Sequence, residues 1–126
     1  SNAIIFSLPA GTELHAPAQC DCSEAKTDDE LGAYTEVTDK SSGDVYVFGG
    51  VDNGTVKKTE DPVPQGTVVA KTTEKFILRV KRNDNYVDPK TVWNKLNGIK
   101  PSKDESVGQQ IEKINSSTGN TTTYNK

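Results

Sequence analysis

A chain of 126 residues with a net charge of −3, 32% apolar and 26% charged, is long enough for one domain with a real core, yet polar enough that part of it is expected in loops or a tail. The small negative charge, without any Lys/Arg cluster interleaved with aromatics, excludes the nucleic-acid binders. No apolar run approaches the roughly 18 residues that cross a membrane as a helix.

Ser1-Asn2-Ala3 reads as the remnant of a cleaved tag and is set aside, so the natural chain is expected to continue upstream of Ile4. Short runs of Val, Ile, Thr, Tyr and Phe punctuated by Pro and Gly then predict an all-β domain over residues 4–98. Its strands are expected at Ile4–Leu8, Glu13–Ala16, Tyr34–Thr38, Asp44–Phe48, Thr67–Lys71 and Phe76–Lys81. Tyr34–Thr38 and Asp44–Phe48 flank Lys40-Ser41-Ser42-Gly43 and read as a hairpin, with Gly43 free to adopt positive φ. Bulk on both faces of Asp44–Phe48 marks a central strand covered on both sides.

Pro9-Ala10-Gly11-Thr12 and Pro64-Gln65-Gly66-Thr67 repeat one turn ahead of a strand, which points to a duplicated unit. Lys71, Lys75, Arg79, Lys81 and Arg82 are locally basic and read as the solvated face of a strand. After the last strand, Asp88 is a suitable N-cap and Pro89 a suitable first residue for a short helix over Pro89–Leu96, with Val92, Trp93 and Leu96 on its apolar face. Residues 99–115 carry a weaker helical pattern in Val107, Ile111 and Ile114. Residues 116–126 are almost pure Ser, Thr, Asn and Gly and read as a flexible polar tail. The Asn-x-Ser/Thr sites at Asn53, Asn115 and Asn120 are what such a composition yields by chance.

Chemistry-bearing residues are few. Cys20 and Cys22, in Cys-Asp-Cys, are read as two free thiols before a strained disulfide or a metal pair. His15 is the single histidine; it shares a strand face with Glu13, which makes at most two ligands and reads as an ordinary histidine. No Gly-x-Ser-x-Gly elbow, phosphate loop or dinucleotide fingerprint occurs, although Gly49-Gly50 follows a strand.

One stretch carries more. Lys75-Phe76-Ile77-Leu78-Arg79-Val80-Lys81, followed by Asn83-Asp84-Asn85-Tyr86-Val87-Asp88-Pro89, resembles the His-Leu-His-Phe-Glu-Val-Arg strand and Val-Asp-Pro helix start of the lysostaphin-type (LytM-like) zinc endopeptidases of peptidoglycan. Ile5–Ala18, with its Pro-x-Gly-Thr turn, is similar to that family's opening, and Val63–Ala70 to a second turn; the likeness runs in order from about Ile4 to Leu96. It implies a small antiparallel β-barrel or sandwich, the duplicated hybrid motif, with a short C-terminal helix.

The family holds zinc with His, Asp and His, around a water whose pKa the metal lowers towards ~7. Carried across, the Asp position falls on Ile5, a hairpin His near Gly50, and the His-x-His pair on Lys75 and Ile77. None of these is a zinc ligand. The resemblance therefore implies a degenerate relative with no cofactor and no catalytic residue: a binding, adaptor or scaffold module of the cell envelope, extracytoplasmic, whose partner is an envelope protein or peptidoglycan. The segment Cys20–Gly32 overlies the groove side in that family, so Asp28, Asp29 and Glu30, with Lys75, are the candidate binding residues. Three other readings stand beside this one: a structural domain of a phage tail, an active zinc endopeptidase aligned differently, and an unrelated carbohydrate-binding sandwich.

Overall fold

A computed structural model describes residues 2–89 and 121–125. The chain forms β1 (Asn2–Ser7), β2 (Glu13–His15), β3 (Cys20–Cys22), β4 (Lys26–Asp28), β5 (Gly32–Asp39), β6 (Val45–Val51), β7 (Val68–Arg82), β8 (Asn85–Val87) and β9 (Thr121–Asn125), with a 3-10 turn at Asn53–Thr55 between β6 and β7. All pairings are antiparallel, and the sheet runs β3-β5-β6-β7-β1-β9, with β2 and β8 also on β7 and β4 on β5. The expected all-β antiparallel class is what the chain adopts.

Alternation along the strands sorts the side chains into two layers. Ile4, Val37, Tyr46, Phe48, Phe76, Leu78 and Val80 face the main core, joined by Leu14, Cys20, Cys22 and Val69. Phe48 and Phe76 meet edge to face there, ring centroids 5.5 Å apart, a preferred aromatic geometry. Ala3, Val47 and Ile77 face the other way and form a smaller cluster with Leu31, flanked by Ile5, Tyr34, Val45 and Tyr86. β6 is thus covered on both sides, as its sequence implied.

The repeated turn is real in three dimensions. Thr12 donates its N–H and its hydroxyl to Pro9 O at 3.2 and 2.6 Å, and Thr67 does the same to Pro64 O at 3.2 and 2.8 Å. Gly11 and Gly66 take φ of 84° and 90°. Each glycine N–H then crosses to the other half of the domain, Gly11 to Thr72 O and Gly66 to Ala16 O, both at 2.8 Å. The two copies thus interlock.

Four features depart from the sequence reading. Thr67–Lys71 and Phe76–Lys81 are not separate strands: β7 runs through both, and its register against β6 shifts between Gly49 and Val51. The segment Cys20–Gly32 is not a plain loop but supplies β3 and β4, two strands too short for a periodic signal. Asn2 and Ala3 extend β1, and Ala3 is fully buried. Thr121–Asn125, read as tail, pairs with β1 from Asn2 to Phe6; its run of threonines has the β-branched character that suits an added edge strand. The helices expected over Pro89–Leu96 and 99–115, Trp93 among them, lie outside the described residues beyond Pro89.

A closed patch on the outer face of the sheet

The four positions singled out by the family resemblance come together on the face of the sheet that carries the smaller cluster. Ile5 and Ile77 are direct partners across β1 and β7, and Ser7 pairs with Lys75 two residues along. Gly49 is opposite Ile77 across β6 and β7. Gly50 follows with φ of 71°, so close to β7 that a Cβ there would lie 2.0 Å from Lys75 O. Only glycine fits that backbone. Ile77 is buried, Ile5 and Gly50 are half-buried, and Lys75 is exposed.

Over this patch lies the tip of the β4–β5 hairpin. The Asp28 carboxylate accepts the N–H groups of Glu30 and Leu31 at 2.9 and 2.5 Å, an Asx turn that bends the chain back towards the sheet. Leu31 then drops onto Gly49: its Cδ2 would be 2.8 Å from a Cβ at that glycine, and the Ile77 Cβ is 3.4 Å away. Leu31 O accepts the Gly50 N–H at 2.8 Å. Leu31 is buried, and its side chain contributes about 1.5–3 kcal/mol by leaving water.

Beside Leu31, Glu30 accepts a 2.7 Å hydrogen bond from Arg79 Nη2. The Arg79 side chain is only 6% exposed, so this cation is not on a solvated face as the sequence suggested. Tyr86, on β8, covers it with its ring centroid 5.0 Å from the guanidinium carbon, and the Lys81 ammonium lies 5.3 Å from the same centroid. Glu36 accepts from Lys26 at 2.8 Å and from Lys81 at 3.4 Å. The Lys26 ammonium above all, with Lys81 adding to it, holds the Glu36 carboxyl below its ordinary range.

Of the expected binding residues, Asp28 builds the turn and Glu30 faces Arg79, while Asp29 and Lys75 remain exposed and are not joined to them by any contact described. Leu31, Gly49, Arg79 and Tyr86 were missed. Gly49-Gly50 after a strand was the available signal for Gly49.

The patch does not fit zinc. The metal needs imidazole or carboxylate donors with room for water; here two positions offer hydrocarbon, one offers no side chain and one offers a cation. Among the described residues no group of three or more His, Cys, Asp or Glu side chains is placed to hold a metal ion. His15 is committed to its own strand pair: Nδ1–H donates to Gly66 O at 2.7 Å, and Nε2 lies 3.8 Å from Glu13. Cys20 and Cys22 are free, point together into the main core and are buried. Burial pushes the Cys20 thiol up to about 11 and raises that of Cys22 as well, so neither offers a thiolate at neutral pH.

No family model matches the sequence, and no curated protein does. The fold does match a solved structure, that of LytU, with a TM-score of 0.62 over 75% of this chain and 76% of that one, at 16% identity. No described helix is long and apolar enough to cross a membrane. The likeness is one of architecture, and at that level it supports the lysostaphin-type, LytM-like fold read from the residues.

Proposed function

We propose that this domain is a non-catalytic member of the lysostaphin type, a binding or scaffold module of the cell envelope that works outside the cytoplasm. The observation that supports it most is the patch at Ile5, Gly50, Lys75 and Ile77. These positions lie together on one face of the sheet, none of them carries a zinc ligand, and Leu31 packs over the neighbouring Gly49. Its partners on this reading are an envelope protein or peptidoglycan itself.

Co-sedimentation with purified peptidoglycan sacculi tests the reading, with soluble muropeptides measured in the same samples. The reading requires that no muropeptide be released above the protein-free control, with or without added zinc. Release that EDTA abolishes would overturn it and restore an active endopeptidase.

A further inference from the structure

We propose that the hairpin tip Asp28–Leu31 is a stand-in for an external ligand: it holds a site built for an extended peptide in which an acidic residue precedes a leucine-like one. This rests on the binding-module reading and names the chemistry of the partner.

Three contacts define the site, and each is of a kind that recognises a peptide strand. The Gly50 N–H supplies a main-chain bond, now taken by Leu31 O at 2.8 Å. Gly49, with no side chain, floors an apolar seat walled by Ile77 and filled by Leu31. Arg79, almost wholly buried and roofed by Tyr86, presents a guanidinium to a carboxylate at 2.7 Å. A short peptide is recognised by this combination: a main-chain bond that fixes its register, and seats for neighbouring side chains that give specificity. The guanidinium decides the occupant's chemistry. What replaces Glu30 keeps that 2.7 Å ion pair only if it also brings a carboxylate.

The tip is held on one side by a short, exposed strand. Its root, β4, is three residues long, exposed throughout, and among the described strands pairs with β5 alone. Elements with few buried apolar contacts open at low free energy without unfolding the domain. A tethered segment acts at millimolar effective concentration, so the intact hairpin suppresses a free peptide of similar intrinsic affinity.

The probe is the hairpin's own sequence as a free peptide, Thr-Asp-Asp-Glu-Leu-Gly, titrated to millimolar concentration while the Gly50 amide is followed by NMR. In a Glu30→Gln/Leu31→Ala variant the amide shifts saturably. In the parent chain the same peptide binds at least ~10-fold more weakly, because the tether competes. A peptide with Lys in place of its Glu leaves the amide unmoved. If the double variant does not fold, Leu31→Ala alone takes its place. A folded variant whose Gly50 amide ignores the peptide, or responds equally to the Lys peptide, overturns the proposal. Unfolding of both variants overturns it too, since the tip would then be a permanent part of the core. None of these outcomes touches the non-catalytic reading, which turns on zinc and muropeptide release.

Discussion

Leu31 sits on Gly49 so closely that a single added methyl group would come within 2.8 Å of its Cδ2 and 3.0 Å of its Cβ. The contact joins a hairpin tip to a central strand and covers it there. Gly49→Ala therefore has to push Leu31 out of its seat or shift β6. We expect it to destabilise the domain by about 1–3 kcal/mol, the usual range for overpacking. In a Leu31→Ala background the same substitution should be much milder. A double-mutant cycle by urea denaturation checks this, and additive effects would mean that the two residues do not share a seat.

Glycines at positive φ should separate into two classes. At Gly11 and Gly66 nothing lies within 4 Å of an added Cβ, so alanine there strains only the backbone and should cost about 1 kcal/mol at each turn. At Gly50 the Cβ would collide with Lys75 O at 2.0 Å, and backbone cannot step aside as a flexible side chain does. Gly50→Ala should be the most damaging of the three by a clear margin in thermal melts. Equal effects at all three positions would contradict the close approach of β6 and β7.

How much of this was legible beforehand depended on strand length. β5, β6 and the halves of β7 carry enough alternating Val, Tyr, Phe and Thr to be read directly, and the Pro-x-Gly-Thr turns marked the two interlocked halves. β3, β4 and β8 have three residues each, too few for a period to show, and unlike β2, equally short, they have no Pro-x-Gly-Thr turn ahead of them. Their place is fixed by register with longer neighbours. Arg79 was misread for a related reason. Period-2 alternation puts it on the face opposite Leu78, but only the hairpin tip, distant in sequence, makes that face an interior. Likewise Glu30 and Asp28 were recognised as a group, yet which of them bends the chain and which meets a cation depends on where the turn lands.

The acid limb of stability should carry a signature of Glu36. Its pKa is lowered in the folded state, so its contribution is present above the ordinary carboxylate value of 4.5 and is lost as pH falls through the folded value. Lys26 and Glu36 are both partly exposed, which holds the effect to at most about 1 kcal/mol. Glu36→Gln should lower stability at neutral pH by that order and have little effect at pH values where the carboxyl is already protonated. Urea melts at neutral pH and on the acid side of 4.5 make the comparison. A constant difference across both would assign the loss to packing instead.

Thiol chemistry gives a further check on the core. With Cys20 raised to about 11 by burial, roughly one molecule in ten thousand carries that thiolate at neutral pH. Both cysteines should resist a thiol-reactive reagent in the native state and react rapidly in denaturant, with two thiols titrated per unfolded chain. Prompt reaction under native conditions would place β3 outside the core.

Elemental analysis decides whether the surface at Ile5, Gly50, Lys75 and Ile77 holds zinc. Protein prepared without chelator, equilibrated with zinc and freed of excess by gel filtration, should retain far less than one zinc per chain. An Ile77→His variant should do no better, because one imidazole in a three-ligand chemistry competes poorly with water. A stoichiometric zinc in the parent chain, together with EDTA-sensitive cleavage of a stem-peptide substrate, would contradict the account.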